Sequence, residues 1–248
     1  MTSEPGGAPA AGDGGSSNLQ ATRWNAKTAV PWSVRDTWIG VLILVVLIGG
    51  IAAASVLLPR GEQTTSILLV LTEPLLLVPV AIILGWKRIG WRHLGFRKFA
   101  WQGPALGCGA LLLIYPLILL HNFILTWAGV ETQGSSITEL YHLLDTPAPF
   151  LVSAVLIAPL SEEIFFRGFL FQGLRQKHGW VAAMLISSGV FAAFHLQPAA
   201  LIPTFLLGCV LAFIYQMSDS IWPGMLLHLF INECALGVTA LGVRMGWF

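Results

Sequence analysis

Long apolar stretches alternate with short polar ones along most of the chain, and neither the two-residue period of a half-buried strand nor the 3.6-residue period of a surface helix dominates. A stretch of about 20 apolar residues is long enough to cross a bilayer as a helix. Seven such stretches are predicted, at 38–59, 66–86, 104–128, 149–174, 180–197, 199–216 and 221–243. Pro116 in the third is expected to kink its helix. The connections among the last four are very short, so those helices should pack as neighbours. The pattern predicts an all-α, polytopic transmembrane helix bundle of about seven spans, with the functional groups inside the last four.

Composition supports this. Of 248 residues, 56% are hydrophobic and 10% charged, against about 25% charged in an ordinary soluble domain. Mean hydropathy is +0.77. The net charge of +1 offers no field for nucleic acid or an acidic partner. Cys108, Cys209 and Cys234 lie in apolar runs without metal-knuckle spacing and read as small core residues.

Four regions follow. Residues 1–22 are Gly-, Ala-, Ser- and Pro-rich, unlike a signal peptide, and are expected to be disordered. Residues 23–148 hold an interfacial lead-in, with Trp24 and Trp32 at headgroup depth, and three spans. Residues 149–243 form a four-helix core, and 244–248 a short tail. Loop 87–103 carries Lys87, Arg88, Arg92, Arg97 and Lys98, while loop 129–148 carries Glu131, Glu139 and Asp145 and no Lys or Arg. The basic loop belongs on the cytoplasmic side. This predicts an integral protein of the plasma membrane, a bacterial inner membrane in the style of the tail, with a cytoplasmic N-terminus.

The fourth span breaks the apolar rule. Glu162, Glu163 and Arg167 sit inside it. Three charges near a helix centre cost on the order of 7–10 kcal/mol, against roughly 4–8 kcal/mol returned by the span's aliphatic and aromatic residues. The segment therefore requires neighbours that pair or solvate those groups. Glu163 and Arg167, at i and i+4, share a face and should pair. Glu162 points about 100° away and must face something else. Downstream, Phe191 and His195 share a face at i, i+4, as do His228 and Asn232. Taken singly, each is as well explained by an interhelical hydrogen bond or a structural ion pair. Together they form a set that suits hydrolysis: a base for water, a second group on that water, and donors for an oxyanion. Glu162 fits the base, His195 the water, His228 and Asn232 the oxyanion. A metal version also fits, with His195, His228 and a glutamate around Zn²⁺, so the cofactor is either a divalent metal or none. There is no H-E-x-x-H zincin motif.

Glu162-Glu163-x-x-x-Arg167, Phe191-x-x-x-His195 and His228-x-x-x-Asn232, in that order within apolar helices, resemble the CPBP family of CAAX-prenyl-protease-like and bacteriocin-processing (Abi) membrane proteins. Gly168 after Arg167, and the W-x-x-L-G-F stretch Trp91–Phe96, add to the likeness, which covers about 149–243. The resemblance implies an intramembrane endopeptidase of CAAX- or bacteriocin-processing type. Its first glutamate (Glu162) and FxxxH histidine (His195) would activate water, and His228 and Asn232 would complete the site. The implied partners are membrane lipid and a hydrophobic or lipidated peptide. The alternative is a non-catalytic scaffold or self-immunity protein that binds such a peptide. A proton-coupled transporter is a third reading, against which no inverted repeat is found. Weaker candidates are Glu73, expected to pair with a helix neighbour, Tyr115, His121 and Asn122 as cavity-lining residues, and Glu233 as a structural residue.

Overall fold

The computed structural model describes residues 29–59, 61–99, 101–132, 134, 137–139 and 148–245. Trp24, Asp145, Arg60 and the expected disordered tail lie outside them. The described chain is helical. We number the helices α1 (Val34–Ser55), α2 (Thr64–Lys87), α3 (Pro104–Trp127), α4 (148–178), α5 (180–194), α6 (Pro198–Ser218) and α7 (Trp222–Met245).

Counted by continuity among the described residues, six helices are long and apolar enough to cross a membrane, because Ala148–Phe194 runs 47 residues without a loop. At 1.5 Å per residue an unbroken helix of that length would measure about 70 Å, over twice the hydrocarbon thickness. Gly179 divides it: its φ of 76° and ψ of 165° are non-helical, a conformation open to glycine. The expected fourth and fifth spans are the two arms of this turn. Their junction is one residue, and the first arm extends past the expected end at 174. The helix assignment continues through Pro116, where a kink is expected. α2 tightens at Glu73–Leu76 into a 3₁₀ turn around Pro74.

One end of the bundle is tied together. Ser33 and Asp36 form a capping box at the start of α1, and Asp36 pairs with Lys87 at the end of α2 at 2.9 Å. The segment Trp91–Phe96 plugs this end. Leu94 is fully buried. Its carbonyl accepts from the Tyr215 hydroxyl at 3.2 Å, and the His93 carbonyl accepts from Gln172 Nε2 at 3.0 Å. A Cβ at Gly168 would lie 2.9 Å from the Leu94 oxygen, so only glycine admits the plug. Arg97 and Arg175 both reach Asp219. Trp32, expected at headgroup depth, is instead buried and stacks on Phe169 with centroids 5.5 Å apart. This end also holds Arg35, Arg88, Arg92, Lys98 and Lys177, and it is called the basic end below.

The core lies in α4 and its neighbours: Phe165, Phe166, Phe169, Leu170, Phe171 and Leu174 are all buried. α3 is peripheral and largely exposed to the surroundings. The expectation of core cysteines fails for two of the three, because Cys108 and Cys234 are exposed on the outside of the bundle.

Candidate active site

α4 is irregular where the charges lie. Ser153–Ile157 and Glu163–Phe171 are π-helical and flank an α-helical turn, Ala158–Glu162. Pro159 contributes to the irregularity. It has no N–H to give the carbonyl of Ala154, its π-register partner five residues back. Asn232 Nδ2 donates to that carbonyl instead, at 2.9 Å. The backbone carbonyl and the side chain from α7 thus satisfy each other inside an apolar environment, where an orphaned carbonyl is expensive.

The two adjacent glutamates have separate surroundings. Glu163 is closed off. Its Oε1 lies 2.8 Å from Arg167 Nη1, both side chains are 1% exposed, and the same oxygen lies 3.2 Å from His228 Nδ1. Arg167 also donates to the Gly208 carbonyl at 3.4 Å and lies 4.4 Å over the Phe191 ring. Glu162 is 14% exposed, and its Oε2 stands 3.5 Å from His228 Nε2. That distance is long for a hydrogen bond to nitrogen, so His228 is held firmly by Glu163 and only loosely by Glu162. His195 caps α5, and its Nδ1 lies 3.0 Å from the Phe191 carbonyl. A carbonyl only accepts, so Nδ1 carries the proton and Nε2 presents a lone pair in the neutral ring.

Glu162, His195, His228 and Asn232 line one cavity of about 560 Å³. The Glu163–Arg167 pair lies beneath its wall. The helical-wheel separation of the two glutamates therefore has a physical outcome: one faces a cavity and one is sealed in an ion pair.

Residues 144–234 match the family model of the Type II CAAX prenyl endopeptidase Rce1-like proteins. This match supports the likeness of the core to the CPBP family. A Bacillus subtilis (strain 168) protein whose name is "Putative membrane peptidase YdiL" is 26% identical over 104 residues, covering 42% of this chain. The matched stretch spans 43% of that relative, less than half its length. No solved structure matches the chain. The family match starts before α4 and ends within α7.

The geometry of these residues does not favour a metal. Among the described residues no three His, Cys, Asp or Glu side chains cluster in a ligating arrangement. Both ring nitrogens of His228 already face carboxylate oxygens, which leaves His195 Nε2 as the free imidazole nitrogen. The set His195, His228 and a glutamate is therefore not assembled for Zn²⁺.

Other residues sit differently from their sequence expectation. Glu73 lines the cavity from the 3₁₀ turn of α2, within electrostatic reach of Glu162, and no cation among the described residues pairs with it. Asn122 also lines the cavity, and His121 Nδ1 lies 3.3 Å from its Oδ1. Tyr115 is 53% exposed, away from the site. Glu233 is exposed. Two glycines escaped notice. A Cβ at Gly224 would lie 2.8 Å from Glu163 Oε2, and one at Gly208 would lie 3.1 Å from the Ser188 Cα. Small residues that let helices approach are common in membrane interfaces, and an apolar run containing glycine was the available signal.

Proposed function

We propose that the protein is an intramembrane endopeptidase of CPBP type that hydrolyses a peptide bond with Glu162 as general base. The observation that carries this reading is the shared cavity, onto which Glu162, His195, His228 and Asn232 all open while Glu163 and Arg167 lie beneath. A water between Glu162 and His195 gives its proton to Glu162 and hydrogen-bonds to His195 Nε2. The resulting hydroxide adds to the scissile carbonyl carbon. The oxyanion receives hydrogen bonds from the second Nδ2–H of Asn232 and from Nε2–H of His228 as imidazolium, whose Nδ1–H donates to Glu163. Collapse breaks the C–N bond, and the proton held on Glu162 passes to the departing amine. Glu163 and Arg167 act as positioning residues, through the Glu163 contact to His228 Nδ1. The lining is mainly aliphatic and aromatic, which fits a hydrophobic peptide substrate, lipidated or not, of CAAX- or bacteriocin-processing kind. The setting is a bacterial inner membrane with the N-terminus in the cytoplasm.

The test is cleavage of a proteome-derived library of apolar peptides by protein reconstituted in liposomes, with products read by mass spectrometry. Glu162→Gln and His195→Ala are each expected to lose at least about 100-fold in rate while inserting and eluting as the wild type does. Undiminished cleavage by both variants overturns the mechanism. Wild-type function of Glu162→Gln in a cell-based assay would favour the peptide-binding scaffold instead.

A further inference from the structure

The cavity is one-sided. Its lining residues on α4 run from Phe166 back to Phe150, those on α7 run from His228 forward to Thr239, and those on α6 stop at Leu207. All three lead to the end of the bundle away from the basic loop. Phe150 lies twelve residues from Glu162, roughly 18 Å along the helix. Toward the basic end, among the described residues, the lining goes no further than Phe166 on α4 and His228 on α7, and a separate apolar pocket of about 260 Å³ there includes none of Glu162, His195, His228 and Asn232. The packed side chains of α4 from Phe169 onward and the Leu94 plug fill that half. No residue of 89–98 or 168–178 lines the cavity. Lys and Arg concentrate at the plugged end, whereas Arg244 alone represents them at the open end among the described residues.

Resting on the peptidase reading above, we propose that substrate reaches the site from the end opposite the basic loops, the non-cytoplasmic face in the orientation those loops set, and that it is an exported polypeptide with apolar residues around the scissile bond. The lining between the mouth and Glu162 is mainly apolar, including Ile118, Phe150 and Leu236, which suits apolar residues around the scissile bond. Glu131 and Glu139 lie on the described part of the connection between α3 and α4, beside the cavity-lining Gly134 and Ile137, so a basic flank beside the apolar segment is favoured over an acidic one.

The experiment reads access directly. In full-length protein with Cys108, Cys209 and Cys234 replaced by Ala, single cysteines are placed by Thr239→Cys at the mouth, Leu207→Cys deeper in the cavity, and Arg92→Cys in the basic loop. A membrane-impermeant sulfonated maleimide is applied to right-side-out and to inverted membrane vesicles. The cavity positions are expected to label at least about tenfold faster in right-side-out vesicles, as an impermeant probe requires, and Arg92→Cys faster in inverted ones. Cavity labelling confined to inverted vesicles, or Leu207→Cys labelled in neither, overturns the proposal. Peptides flanked by Lys should be cleaved roughly two- to fivefold faster than Asp-flanked ones at low salt, and the reverse preference counts against the proposed substrate. Labelling needs no cleavage, so expected sidedness together with an active Glu162→Gln variant would sink the chemistry and leave the route intact.

Discussion

Glu162 and Glu163 are chemically identical neighbours, and their surroundings alone assign them different work. The carboxylate of Glu163 is fixed by Arg167 and His228, and its second oxygen, which has no hydrogen-bond partner among the described residues, packs against Gly224. Gly224→Ala is therefore a sensitive probe. Its methyl group would displace the carboxylate that aligns His228, and peptide cleavage should fall at least about tenfold, since small misplacements of catalytic groups are costly. Membrane insertion, read by protease protection, should be unchanged. Incubation with a strong divalent-metal chelator should leave cleavage intact, because His195 and His228 do not converge with a glutamate on one point. A loss restored by Zn²⁺ would show that the resting arrangement rearranges around an ion.

At the scale of the element, α4 carries the site because its backbone departs from regular helix on both sides of Glu162. The Asn232–Ala154 bond is the clearest consequence of that departure. Asn232→Ala should leave the Ala154 carbonyl unsatisfied and cost about 1–3 kcal/mol, measurable as a lower unfolding midpoint in detergent. Pro159→Ala supplies the missing N–H, so adding it to Asn232→Ala should recover most of that loss without restoring cleavage. If the two losses simply add, the proposed exchange of donors is wrong. The sequence made some of this legible and hid the rest for a physical reason. Helix periodicity pairs Glu163 with Arg167 and aligns His228 with Asn232, since i and i+4 side chains meet whatever surrounds them. The π-helical turns, the donor exchange at Pro159, the closeness of Glu73 to the site and the contacts of Gly224 depend on which helices lie side by side. Local pattern does not encode that. The turn at Gly179 illustrates the same limit: the apolar runs on both sides were readable as spans, but the absence of a loop between them was not.

For the molecule as a whole, the lengths of the apolar runs predict a helical membrane bundle, composition agrees, and the distribution of charge gives it two unlike ends. The basic end is tied by the Trp91–Phe96 plug and its hydrogen bonds, and the lining of the cavity on α4 and α7 runs toward the other end. A polar site in a bilayer has to be reached by water and by a peptide without opening the whole bundle to lipid. A cavity sealed at one end and lined by apolar side chains along its length meets both demands. The central claim is that Glu162 activates water in that cavity. Its most direct test is cleavage of a single apolar peptide in H₂¹⁸O by reconstituted wild-type and Glu162→Gln protein, with the new carboxyl group analysed by mass spectrometry. The wild type is predicted to place one ¹⁸O in that group in a single turnover, with the variant slower by at least about two orders of magnitude. A Glu162→Gln rate equal to wild type would contradict the account.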